Sequence, residues 1–196
     1  MKNLFDLKID EKGFVLIEFV IALPLIIFLL YGFTQTLLKG VEMSKIHAAD
    51  YELEVEAQEV LARIVEDARA ASYVKREVAI GGMPIDKITI NYHANKYDDG
   101  KIIDVIDTRI YTVAMTEGHG AYVYAQRQGG YHSSPITGGN FFGENVVTYL
   151  KYFKLGENIL YIILEMESLT TNQRIRLSTA VYMPACEKMQ GFKNYE

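Results

Sequence analysis

One cysteine, Cys186, stands in 196 residues, so no intramolecular disulfide can staple the fold. There is no tryptophan, and four prolines and four histidines make up the rest of the scarce inventory. His47, His93, His119 and His132 fall on a helix, a strand and two loops without ligand spacing, which argues against a zinc centre. No glycine-rich phosphate loop and no serine elbow occurs. Asp98, Asp99, Asp104 and Asp107 crowd "YDDGKIIDVID" but lack the ligand order of a calcium loop, and Asp-Asp-Gly is an ordinary turn. No metal site, cofactor or catalytic residue is therefore expected, and the chain does not read as an enzyme. Basic residues are scattered through a chain of net charge −5, so the electrostatic footprint of a nucleic-acid binder is missing too.

One long apolar run is present. From Phe14 to Leu38 the chain carries a single charged side chain, Glu18. As a helix these residues span about 37 Å, enough to cross a hydrocarbon core of about 30 Å with some tilt. Lys2, Lys8 and Lys12 precede the run, and Lys39 and Lys45 follow it. The bias favours a cytoplasmic N-terminus, a single membrane pass and an extracytoplasmic head. A cleaved secretory signal fits less well, because the apolar core is too long and "GFTQTLLKG" offers no small-x-small site. Pro24, inside the run, removes one helical hydrogen bond and predicts a bend.

An ionised acid near a bilayer centre costs about 2.5–3.5 kcal/mol or more, so Glu18 needs a reason. Its context, "KGFVLIEFVIALP", supplies one. Gly13, Phe14, three apolar residues and then Glu18 resemble the class III signal of type IV pilins and pseudopilins. The proline six residues after Glu-Phe begins, at Pro24, resembles the TadE-like pseudopilins of tight-adherence systems, while the mixed acids and lysines of residues 1–13 depart from the usual basic leader. The resemblance covers roughly residues 1–40. It implies that a prepilin peptidase cuts between Gly13 and Phe14, that Phe14 is N-methylated, and that the partners are other pilin or pseudopilin subunits, an inner-membrane assembly platform and lipid. The new ammonium at Phe14 lies one turn from Glu18. The residues allow that pair within one chain or between neighbours; the resemblance implies the second, in a type IV pilus, tight-adherence pilus or type II secretion pseudopilus.

After Gly40 the pattern turns amphipathic, with Ala57, Val60, Leu61, Ile64, Val65 and Ala68 at helical spacing. This predicts a stem helix over residues 39–76 that covers a sheet by one face. Glu52, Glu54, Glu56 and Glu59 read as its solvated side. "IGGMP", residues 80–84, ends the helical region. From 85 to 184, alternating β-rich runs with short turns predict an antiparallel meander, clearest in "NVVTYLKYFKL", "ILYIILEMES" and "QRIRLSTAVYM". The fold class expected is α+β: a long N-terminal helix on an antiparallel head, followed by a polar tail over 185–196. The glycine-rich loop 129–145 carries Phe141 and Phe142. It supports the competing function, a monomeric signal-anchored module that captures a ligand outside the cytoplasm.

Overall fold

The computed structural model describes residues 11–78, 85–98, 100–116, 120–127, 134–138 and 144–192. They form one helix, α1 (Glu11–Arg69), and nine strands: β1 (Ala71–Val78), β2 (Asp86–Asp98), β3 (Lys101–Thr116), β4 (Gly120–Arg127), β5 (Ser134–Pro135), β6 (Asn145–Lys154), β7 (Ile159–Ser168), β8 (Arg174–Tyr182) and β9 (Lys188–Gln190). The architecture is α+β, and the chain divides into two compact units, Met1–Lys45 and Ile46–Glu196.

In the first unit α1 runs through Pro24 without a break. Its described side chains are solvent-exposed, with Ala22 alone half-buried. Thr34 and Thr36 donate their hydroxyls to the carbonyls of Leu30 and Gly32, at 2.7 and 2.9 Å. Such back-bonding lets a hydroxyl sit in an apolar helix without an orphaned donor.

In the second unit, the head, the helix buries Ala49, Leu53, Ala57, Val60, Ile64 and Ala68. These positions recur every three or four residues, the stripe that the sequence pattern predicts. Against them pack Ile88, Ile90, Tyr111 and Val123 from a six-stranded sheet of order β5-β4-β3-β2-β1-β9, and Leu150, Tyr152, Leu160, Ile162, Leu164 and Met166 from a three-stranded sheet, β6-β7-β8. The isolated parallel bridge Ile85–Leu150 links the sheets. The β7–β8 turn closes on Asn172, whose φ of 56° suits a residue that tolerates the left-handed region.

Three features depart from the sequence reading. The helix stops at Arg69, where a basic residue suits the carbonyl end, and residues 71–78 form β1 instead of a further helical turn. Ala68, Ala71 and Val74 keep helical spacing, but Val74 and Arg76 alternate with outward Tyr73, Lys75 and Glu77, and pairing with β2 satisfies their backbone. The β2–β3 hairpin is longer than the alternating runs on either side of the Asp-Asp-Gly turn suggest: the two strands pair continuously from Ile88–Tyr111 out to Asp98–Lys101. Finally, the tail enters the sheet. β9 pairs in parallel with β1, Cys186 is 5% exposed, and Gly191 (φ 82°) lies so close to the Arg76 carbonyl that a Cβ would collide with it.

A buried ion cluster ties the sheets together. Arg76 Nε donates to Asp86 Oδ2 at 2.7 Å, and Lys151 Nζ on β6 reaches Asp86 Oδ1 at 3.2 Å. The Arg76 and Asp86 side chains are 5% and 0% exposed. The Arg76 guanidinium also sits 5.7 Å from the Phe153 ring centroid.

Candidate functional site

The signal-like residues lie on α1. Gly13 and Phe14 fall in its first turn, within the helical backbone, and Glu18 follows one turn later, about 6 Å along the axis. Glu18 is exposed, flanked by Ile17 at 61% and Phe19 at 69% exposure. From Ile17 to Ile46 every large apolar side chain is exposed, on all sides of the helix. A soluble helix keeps one polar face; one that is apolar all round is stable only inside other helices or lipid. The chain therefore carries a single N-terminal helix long and apolar enough to cross a membrane, the properties of a membrane anchor. Glu18 is the one acid on that surface from Ile17 to Val41.

The head holds a second polar arrangement that the sequence pattern hides. Glu56, which the sequence pattern assigns to a solvated acidic face, is buried at 7% exposure. Its Oε1 accepts from the Gly138 N–H at 2.6 Å and its Oε2 from Asn145 Nδ2 at 2.7 Å. Thr137 is buried beside it, its hydroxyl accepting from the Val123 N–H at 3.0 Å. Gly138 holds φ at 95°, and a Cβ there would stand 2.6 Å from the Tyr122 ring. Thr137, Gly138 and Asn145 of the loop 129–145 are thus pinned to the helix and to β4; Phe141 and Phe142 lie outside the described residues. The physical signal was present, since Glu56 stands next to Ala57 and four residues before Val60, on the edge of the apolar stripe. Only the arrival of Asn145 and Gly138 makes that edge an interior. Glu56→Ala orphans both donors and is expected to lower stability by about 2–4 kcal/mol, whereas Glu56→Gln keeps one acceptor and loses less; thermal unfolding followed by circular dichroism checks both.

A third cluster stands where the β2–β3 hairpin leaves the sheet. Arg127 Nε donates to Asp107 Oδ1 at 2.9 Å, Tyr92 Oη to Asp107 Oδ2 at 3.0 Å, and Arg109 Nε to Tyr92 Oη at 3.2 Å. The Arg127 hydrogen bond holds the Asp107 carboxyl below the usual aspartate range. Burial, with a 2.6 Å hydrogen bond to Asp67, pushes the Tyr111 phenol well above its ordinary range. These groups are mutually satisfied and serve packing.

The acids of "YDDGKIIDVID" separate in the fold. Asp104 faces His93 at 2.8 Å, while Asp107 points to the opposite face of the hairpin toward Arg127; Asp99 lies outside the described residues. His47 is exposed on α1, and His119 and His132 lie outside the described residues. Among the described residues no three His, Cys, Asp or Glu side chains converge as metal ligands. A cavity of about 270 Å³ opens among Asp50, Tyr51, Leu53, Glu54, Gln173 and Arg174. It falls below the usual size range of small-molecule sites.

Comparison with protein-family models, with curated proteins and with solved structures gives no match for this chain.

Proposed function

We propose that the chain is a prepilin-like structural subunit, a minor pilin or pseudopilin, assembled through its apolar helix into a type IV pilus, tight-adherence pilus or type II secretion pseudopilus. In this reading the leader 1–13 stays in the cytoplasm, a prepilin peptidase cuts after Gly13, and Phe14 becomes the methylated N-terminus. The head lies outside the cytoplasm, and an inner-membrane platform drives assembly with other subunits. The observation that carries the reading is Glu18. It is the only charged side chain between Phe14 and Leu38, and it stands one turn from the residue that cleavage would make cationic.

The exposed apolar surface of α1 supports it, because subunit helices and lipid are the two environments that can cover such a surface. A carboxylate and an ammonium in a low-dielectric bundle are each costly alone and compensate together, which favours one axial register between neighbours.

The test is the N-terminus and intact mass of the protein from its native membrane, with and without the peptidase. A chain beginning at Phe14, one methyl heavier, and lost without the peptidase is the expected result. A terminus at Met1 in both backgrounds overturns the reading and points to the signal-anchored binding module.

A further inference from the structure

Among the described residues, two long unpaired strand edges of the head carry complementary side chains. One belongs to β8. Its pairing with β7 is bracketed by Ser168 N–H donating to Gln173 O and by Met183 N–H donating to Asn158 O, both at 2.9 Å. Odd-numbered residues therefore turn their backbone groups to β7, and the N–H and C=O of Arg174, Arg176, Ser178, Ala180 and Tyr182 point away. These five are also the exposed residues of the strand. Among the described residues nothing pairs with that edge, whereas the outer strands of the other sheet, β5 and β9, are only two and three residues long. A bare nine-residue edge is a template for another strand.

The second edge is on the β2–β3 hairpin. β1 pairs with β2 only as far as Tyr92, and β4 pairs with β3 only from Arg109 onward. Lys101–Thr108 thus has β2 on one side and, among the described residues, no strand on the other, and Lys101–Ile106 with His93–Asp98 forms a two-stranded arm. A ribbon of two strands is marginal in water. This one exposes Ile102 at 69% and Ile106 at 66%, on the same face as Asp104 between them.

We propose that the arm of one copy docks on β8 of the next, with Lys101–Thr108 antiparallel to β8, Ile102 opposite Ser178, Asp104 opposite Arg176 and Ile106 opposite Arg174. About six backbone hydrogen bonds form in that register. Charge decides the occupant. Arg174 and Arg176 are 74% and 61% exposed, each already beside one acid, Glu167 or Glu165, and Asp104 extends that ladder with the opposite sign. Two copies of β8 pairing with each other would instead gather four arginines on one seam with no acid added, and would leave both arms bare. The arm-to-edge contact joins unlike surfaces, so it repeats from copy to copy and makes open chains, the symmetry a filament needs. It rests on the subunit reading above in requiring copies side by side.

The test uses the full chain in its native membrane, carrying Ile102→Cys and Ser178→Cys, oxidised with copper phenanthroline and run on non-reducing gels. Opposed residues about 5.5 Å apart lie within disulfide reach. Both substituted side chains are exposed. The expected result is a ladder of dimers, trimers and higher species for the double variant. Dimers alone are expected when the two single variants are co-expressed, and no cross-link from either single variant, which also controls for buried Cys186. Adding Asp104→Lys should cut the yield about threefold. Dimers from Ser178→Cys alone overturn the proposal in favour of β8 self-pairing. No ladder from chains that begin at Phe14 overturns it while the subunit reading stands. A ladder from uncut chains supports arm docking and removes the pilin reading.

Discussion

Asp86→Ala is expected to destabilise the head by about 3–5 kcal/mol, a larger loss than Glu56→Ala should cause. The carboxylate is fully buried between Arg76 and Lys151, and Arg76 is itself only 5% exposed. Truncating Asp86 leaves a guanidinium without a counter-charge in a site that water does not reach. Arg76 Nη1 already lacks a hydrogen-bond partner among the described residues, so the remaining group has little to fall back on. The three residues come from β1, β2 and β6, so the loss also loosens the junction of the two sheets at the Ile85–Leu150 bridge. For a domain of this size the change corresponds to a fall of roughly 6–20 °C in melting temperature. With no tryptophan present, the strand signal in circular dichroism is the appropriate probe. Replacing Arg76, Asp86 and Lys151 together by leucine and methionine should recover most of the loss, because a buried ion cluster is worth little against a well-packed apolar one. An Asp86→Ala protein as stable as the parent would show that the cluster is hydrated in solution.

Glu18→Ala carries the second large effect, and it falls on assembly alone. Removing a carboxylate from an apolar helix makes insertion easier, by less than the roughly 2.5–3.5 kcal/mol of a bilayer-centre site because Glu18 lies near the end of the run, so the amount of chain in the membrane should not fall. Cleavage after Gly13 should also proceed, since Glu18 lies five residues beyond it. In the proposed subunit bundle, however, the loss would strand the ammonium that cleavage would leave at Phe14, at a cost of roughly 3–5 kcal/mol, which is more than a hundredfold in an association constant. Sheared filaments should contain almost none of the variant, while the membrane fraction holds it processed. Equal recovery of variant and parent in the sheared fraction would end the charge-pairing account.

How much of the fold is legible in the residues alone depends on how local the deciding interaction is. The unbroken apolar run from Phe14 to Leu38 and the periodic stripe from Leu53 to Ala68 are signals carried by the chain itself, and the helix follows both. The hairpins β6-β7-β8 are legible for the same reason: alternation sets which face is buried, and short polar turns set the register. The Gly13-Phe14-Glu18 spacing is wholly a matter of sequence.

Other features need partners distant in the chain. Ala68, Ala71 and Val74 satisfy helix and strand spacing alike, and the ladder to β2 decides for strand after Arg69. Lys188–Gln190 has nothing in its composition to mark a strand, and becomes one by meeting the open edge of β1. Glu56 looks like its acidic neighbours until Asn145, 89 residues away, and Gly138 close over it. Composition and periodicity thus determined the membrane-competent helix, the stem stripe and the β6-β7-β8 hairpins, because those depend on hydrophobic spacing within a few turns. The tertiary structure alone decided where the helix yields to strand, which acids are buried, and which edges remain unpaired, because each depends on groups brought together only by folding.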